Sequence, residues 1–256
     1  MIHSIKTLIQ RSFIAPAQFI IVLDFQPPLR QADNVILTQE TIRATAQSHS
    51  RKALFLPRSH ASPAPGDGLH LHFTFDQMTA FGNGKLELST MGSSFVEGIL
   101  HHTPALLGIT LPTNNSLRRV WDGISTGNRI GWAVWNKAAT LRLYENPTLG
   151  TLCLEFRLCD NTCNVYLALA AILFCGYDGI RCSRVLSPSL DEDSKRVSAL
   201  PESFERMTAN LKENELLIDL LGPAIASKYL SFRCQETDRS EISTLEIEVA
   251  EALKNA

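Results

Sequence analysis

Two pairs of residues, each pair separated by one position, offer most of the chemistry in this chain. His70 and His72 flank Leu71 in the run Gly68-Leu69-His70-Leu71-His72-Phe73, and Glu155 and Arg157 flank Phe156 in Cys153-Leu154-Glu155-Phe156-Arg157. On a strand, a spacing of two puts both members on one face. Leu69 and Leu71 then face the other way, toward a core. Imidazole titrates near neutral pH and can act as general acid or base. The histidines are therefore either a proton-moving pair or a hydrogen-bonded structural pair. Glu155 and Arg157 read either as site residues or as a buried ion pair that holds the sheet. Cys153 and Cys159 fall on the same parity as Glu155. The six cysteines show no C-x-x-C spacing, so they read as packed thiols in a reducing compartment. A tetrahedral zinc site wants four well-spaced soft ligands, which Cys159 and Cys163 do not supply.

These residues need strands to carry them and helices to back the strands. Gln18 to Phe25 reads as a buried strand, ended by Pro27-Pro28. Ala32 to His49 has helical spacing, with Asp33 as the candidate cap. Ala53 to Pro57 reads as a short strand, Ser59 to Gly68 as a loop, and Gly68 to Phe75 as an alternating strand. Ser93 to Ile109 is helical, and Thr113 to Asn128 is polar and loop-like. Trp132 to Tyr144 and Leu152 to Leu158 read as two further strands. Asn164 to Tyr177 is an apolar helix. Pro201 to Phe232 reads as two helices broken at Gly222-Pro223. Ser240 to Lys254 reads as a last amphipathic helix, capped by Ser240 or Ser243.

The bulk properties narrow the class. The chain has 256 residues, 45% of them hydrophobic and 20% charged, with a net charge of -2. That balance suits a globular protein with an ample core and lacks the basic excess of a general nucleic-acid binder. No apolar run approaches the roughly 18 to 20 residues of a membrane helix. Met1 to Gln10 lacks a hydrophobic stretch with a cleavage site, so a cytoplasmic protein is expected. No boundary divides the chain, and residues 1–256 read as a single domain.

Several short motifs, taken in order, resemble the catalytic domain of glutamine synthetase. Ala15-Pro16-Ala17-Gln18-Phe19 is similar to the family's G-Q-x-E strand. Gly66-Asp67-Gly68-Leu69-His70-Leu71-His72 resembles G-S-G-M-H-x-H, and Pro112-Thr113-Asn114-Asn115-Ser116-Leu117-Arg118-Arg119 resembles P-T-x-N-S-Y-K-R. Trp135-Asn136-Lys137, leading to Leu141-Arg142, is similar to N-R-x-x-x-x-R. Leu154-Glu155-Phe156-Arg157-Leu158-Cys159-Asp160 is similar to x-E-x-R-x-P-D, followed by Asn164-Val165-Tyr166-Leu167-Ala168 for N-P-Y-L-A. Leu200-Pro201-Glu202-Ser203-Phe204 resembles L-P-x-S-L. The resemblance spans roughly residues 11 to 235. It implies an α+β fold, a curved antiparallel sheet packed with helices, and an ancestry in ATP-dependent joining of glutamate and ammonia. The family's β-grasp domain and two metal-binding glutamates would precede Met1.

The resemblance also implies roles. His70 and Glu155 stand at metal-ligand positions, and His72 near the phosphates. Arg119 matches the arginine that holds the substrate carboxylate. Arg142 and Arg157 match strand arginines near the transferred group, and Lys137 replaces an arginine. Two positions depart. Phe13 and Ile20 occupy places where the family has glutamates, and hydrocarbon cannot bind Mg²⁺ or Mn²⁺, which want carboxylate oxygens. The loop Trp121-Asp122-Gly123-Ile124-Ser125 places Ser125 nearest the family's ammonium-binding glutamate. The basic half of the site thus survives while much of the acidic half is gone. With the metal set reduced, His70 and His72 are either free for acid–base work or a hydrogen-bonded remnant. Three functions are expected to compete. The first is an ATP-independent enzyme that acts on a carboxylate-bearing small molecule through His70, His72 and Glu155, with Arg119, Arg142, Arg157, Lys137, Phe13 and Ile20 lining the pocket. The second is a surviving ligase that uses ATP and Mg²⁺ or Mn²⁺. The third is a non-catalytic scaffold. No cofactor, nucleic acid or membrane partner is expected outside the ligase reading, and a small homo-oligomer is expected rather than the family's large double ring.

Overall fold

The computed structural model describes residues 7–11, 18–60, 65–74, 87–121, 129–146, 151–192, 198–240 and 243–256. Strands β1 (Thr7–Arg11) and β2 (Phe19–Leu23) form an antiparallel ribbon. Among the described residues the main sheet has five strands: β3 (Leu71–Phe73), β4 (Arg129–Val134), β5 (Ala139–Asn146), β6 (Thr151–Phe156) and β7 (Ser198–Ala199), in the order β3-β6-β5-β4-β7. Among the described residues, seven helices accompany it: α1 (Pro28–Ser48), α2 (Thr90–Thr110), α3 (Asn114–Trp121), α4 (Val165–Arg181), α5 (Phe204–Glu213), α6 (Glu215–Ser240) and α7 (Leu245–Lys254). The sheet is mixed. Its β3-β6, β6-β5 and β4-β7 pairings are antiparallel, as expected, and its β4-β5 pairing is parallel. The link between β4 and β5 is much shorter than the crossover usual for parallel neighbours. Trp135, at φ 57°, turns the chain there, and the Asn136 side chain accepts the Ala138 N–H at 2.9 Å.

Register explains how one face of the sheet stays polar. Leu71, Phe156 and Leu141 lie opposite one another across β3, β6 and β5, as do Phe73, Leu154 and Leu143. Both rows are buried. Between them runs the row His72, Glu155 and Arg142, which points to the opposite face because side chains alternate. The apolar rows join the core of α2 and α4, which pack closely. A Cβ added at Gly98 of α2 would lie 2.7 Å from the Gly179 Cα of α4, so the absence of a side chain sets the helix separation.

Several elements differ from the sequence reading, each for a physical reason. The strand read at Gln18 to Phe25 forms as β2 but is not buried: Phe19, Ile20 and Val22 are about half exposed, because among the described residues β2 pairs only with β1. The first helix begins at Pro28, five residues before the expected cap Asp33, since proline at a helix start loses no hydrogen bond. Asp33 instead accepts from the Tyr166 hydroxyl of α4 at 2.7 Å. Ala53 to Pro57 forms no strand, and the strand read at Gly68 to Phe75 shrinks to β3. The polar stretch after Thr113 is a helix, α3. Thr113 and Ser116 cap its start reciprocally, each hydroxyl accepting the other's N–H at 3.2 Å. Its polar Asn115, Ser116 and Arg119 are buried with Leu117 and Val120, so a short and mostly polar stretch reads as a loop. The segment read as a single strand from Trp132 to Tyr144 is split at Trp135. The expected break at Gly222 is a kink inside α6, with φ 69°. The last helix is capped by Thr244, not Ser240 or Ser243.

Away from the sheet, Asp178 of α4 is buried and accepts from His102 Nε2 at 3.1 Å, Arg181 at 2.7 Å and Arg184 at 3.2 Å. Burial alone would raise its pKa, but these donors outweigh it and hold the carboxyl well below the usual range. Among the described residues, no helix is long and apolar enough to cross a membrane.

Two measurements check this packing. Gly98→Ala should lower the unfolding free energy by about 1–3 kcal/mol through overpacking, read as a lower urea midpoint. A group whose pKa is depressed by folding adds stability above its unfolded value and loses it as pH falls. Asp178 should therefore contribute fully above its ordinary value of 3.8 and progressively less below it. Asp178→Asn should lower the urea midpoint at neutral pH and flatten the stability loss measured below that value.

Candidate functional site

Glu155 stands at the centre of the polar face, only 1% exposed. Its Oε1 accepts from Arg157 Nη1 at 2.7 Å and lies 2.9 Å from His70 Nδ1. Its Oε2 lies 2.5 Å from Arg142 Nε, an ion contact without hydrogen-bond geometry, so neither atom gains a directed bond there. The partners come from separate places. Arg142 is on β5, Arg157 just past β6, and His70 just before β3. The antiparallel register brings Arg142 and His70 to Glu155, and alternation along the chain brings Arg157.

An ionised carboxylate accepts only, so His70 must donate through Nδ1–H and keeps its lone pair on Nε2. That ring is about one-third exposed. Burial lowers the His70 pKa to about 4, although Glu155 opposes the shift, so the imidazole is neutral at pH 7. For Glu155, burial raises the pKa, but the His70 hydrogen bond and the Arg157 charge prevail and keep the carboxyl ionised. His72 lies second in line, its Nε2 4.0 Å from Glu155 Oε1. Its Nδ1 is 2.8 Å from the Tyr144 hydroxyl, and burial lowers its pKa as well. Burial pushes the Tyr144 phenol upward, so it stays protonated. The Arg142 guanidinium lies over the Tyr144 ring, 5.0 Å from its centroid.

Behind this row lies Arg119, 2% exposed. Its Nη1 donates to the Cys159 carbonyl at 3.2 Å and its Nη2 to the Arg157 carbonyl at 3.3 Å. The loop before β3 wraps it closely. A Cβ at Gly68 would lie 2.9 Å from Arg119 Cζ and 3.0 Å from His70 Nε2. Glycine at 68 therefore lets the guanidinium and the imidazole edge approach the same backbone. Gln18 ties β2 to this loop by donating to Asp67 Oδ1 at 2.6 Å. Asp160, fully buried, accepts from Thr162 N–H at 2.8 Å, and its other oxygen makes no hydrogen bond.

The structure thus gathers His70, His72, Glu155, Arg142 and Arg157 into one cluster, with Arg119 beneath them. Arg119 sits on α3 and not in the expected polar loop, and its terminal nitrogens serve backbone carbonyls. Lys137 is exposed in the β4-β5 link, outside the Glu155 cluster. Ile20 is half exposed on β2. Phe13, Asp122 and Ser125 lie outside the described residues. Sequence reasoning missed Tyr144, whose parity with Arg142 was the available signal, and Asp160, which the fifth motif contained.

The donor set can be tested against the divalent ions that the family resemblance implies. No group of three or more His, Cys, Asp or Glu side chains among the described residues could hold a metal ion. Both Glu155 oxygens already face guanidinium groups, which would repel a divalent cation. The described residues of this chain do not by themselves fit a multi-metal centre.

Comparison with known proteins places these features in a lineage. The family model for the glutamine synthetase catalytic domain matches residues 5–252. A Thermotoga maritima protein named glutamine synthetase is 33% identical over 246 residues, covering 90% of this chain and 55% of its own length. A Methanocaldococcus jannaschii protein of the same name is 32% identical over 244 residues, covering 88% of this chain and 52% of its own. A solved structure described as GmaS without ligand superposes with TM-score 0.77 at 28% identity, covering 90% of this chain and 55% of that one. The chain spans about half the length of these relatives.

Removing one member of a buried ion pair leaves the others uncompensated. Glu155→Gln should cost about 3–5 kcal/mol, more than Arg142→Lys, which keeps the charge. Denaturant unfolding of the two variants checks the order.

Proposed function

We propose that this chain, which belongs to the glutamine synthetase family, binds a small carboxylic acid and moves a proton on it without ATP. One observation carries the reading: the Glu155 carboxylate is turned toward His70, Arg142 and Arg157 and is not open to a metal ion. In that setting Glu155 orients His70, and the neutral imidazole presents the Nε2 lone pair as a general base. Arg142 supplies positive charge for the ligand's carboxylate through charge-assisted hydrogen bonds. Arg119 acts as a positioning residue, since its contacts fix the backbone of Arg157 and Cys159. Tyr144 holds the His72 ring. Phe13 and Ile20 are apolar where the family resemblance has glutamates, which suits an acid with a hydrophobic body; apolar cover gains roughly 25 cal/mol per Å².

A second reading, ATP-dependent joining of a carboxylate and an amine, is favoured by the identity to relatives named glutamine synthetase along nearly the whole chain. It requires carboxylates beyond those described here, from the rest of the assembly.

The two readings part in one experiment. Thermal-shift binding is measured with glutamate and a panel of carboxylic acids, each with and without ATP and Mg²⁺, and phosphate release is followed with ammonium present. The proposal expects stabilisation by a carboxylic acid alone and no phosphate. Phosphate released in step with amide formation establishes the ligase. No response to any ligand marks a scaffold. On an identified substrate, His70→Ala should lower kcat by about 100-fold or more with little change in KM, and Arg142→Ala should raise KM.

A further inference from the structure

Cys159 and Cys163 sit where β6 leaves the site and α4 begins, and their sulfurs are 3.3 Å apart. Four observations show that the fold itself holds them there. Cys163 N–H donates to the Asp160 carbonyl at 3.3 Å, which closes the turn. Asp160 Oδ1 accepts the Thr162 N–H at 2.8 Å and its hydroxyl at 2.5 Å. Gln39 of α1 donates to Asn161 Oδ1 at 3.1 Å. The Ser116 and Thr162 hydroxyls meet at 3.4 Å, linking the turn to α3. Both thiols are thus presented by a turn fixed on several sides. The chain's other cysteines are either buried (Cys153 and Cys175) or exposed (Cys182 and Cys234).

We propose that Cys159 and Cys163 are a modification site: they form a reversible intramolecular disulfide when a peroxide reaches the half-buried Cys163. A disulfide bond is about 2.05 Å long, so the sulfurs must approach by only about 1.2 Å, within reach of side-chain rotation. The reaction balances in two steps. The Cys163 thiolate attacks one peroxide oxygen, the O–O bond breaks, and with one proton the products are a sulfenic acid and water. The Cys159 sulfur then attacks Cys163 Sγ. The S–O bond breaks, and the Cys159 proton leaves with the hydroxyl as a second water. Sulfur is oxidised and peroxide is reduced. A dithiol reverses the bond by exchange.

The site has a route to feel this change. The Cys159 carbonyl accepts from Arg119 Nη1, and Arg119 also holds the Arg157 carbonyl beside Glu155. Cross-linking Cys159 to the first turn before α4 stiffens the backbone that anchors Arg119. This inference is independent of the reaction assigned to the site.

The test uses the full chain, reduced with a dithiol, freed of it, and treated with hydrogen peroxide under native conditions. The tryptic peptide Leu158–Arg181 carries both residues and also Cys175, which is buried in α4. The expected result is a loss of about 2 Da, two hydrogens, located between Cys159 and Cys163 by fragmentation and restored by dithiothreitol. Thiol titration should fall by two of the six free cysteines, and the melting temperature should rise on oxidation. Cys163→Ser should abolish the mass loss and the melting shift together, and Cys159→Ala serves as the second variant. Oxidation confined to Cys182 and Cys234, a disulfide between two chains, or Cys163 driven to sulfinic acid with Cys159 unchanged would overturn the proposal.

Discussion

A carboxylate carrying charge in a nearly closed interior is the constraint around which this structure is arranged. Glu155 can stay ionised at 1% exposure only because cationic and donor groups meet both of its oxygens. Arg157 lies two residues along from Glu155, but Arg142 on β5 and His70 beside β3 reach it only through one pairing register. A slip of one residue between β3, β6 and β5 would turn Glu155 into the core and Leu154 or Phe156 onto the polar face. The charged row and the two apolar rows beside it therefore enforce one another.

The same logic extends beneath the sheet. Arg119 is almost wholly buried, and it is accommodated because backbone carbonyls accept from both terminal nitrogens. Arg233 of α6 repeats the arrangement at the far end of α2. It is fully buried, donates to the Leu111 carbonyl at 2.9 Å and lies over the Phe204 ring. Arginine suits such places because its flat, weakly hydrated fork satisfies several acceptors at once. One arginine fixes the edge of the site, and the other fixes α6 against the core.

Membership of the glutamine synthetase family frames the chemistry. Of the two positions that the resemblance assigns to metal, Glu155 is turned toward Arg142 and Arg157, and His70 donates to Glu155. Burial keeps the His70 imidazole neutral, while the His70 hydrogen bond and the Arg157 charge keep the Glu155 carboxylate ionised. That division of protonation states follows from burial and charge alone.

Much of this protein was determined by the sequence alone. Alternation placed His70 with His72 and Glu155 with Arg157, because a strand's side chains repeat every two residues. The long apolar helices α2 and α4 and the break at Gly222 were legible from composition and backbone preference. Motif order pointed to the family. Other features belonged to the tertiary structure. The α3 helix was hidden because it is short and mostly polar, with several of its polar residues buried. The exposed β2 could not be told from a core strand, since its apolar residues say nothing about how many strands pair with it. The parallel β4-β5 pairing depends on a left-handed Trp135. That Arg119 faces backbone carbonyls and Tyr144 holds His72 depends on register and on the Gly66 to Gly68 loop. These are contacts between distant segments, and local periodicity carries no information about which distant segments meet.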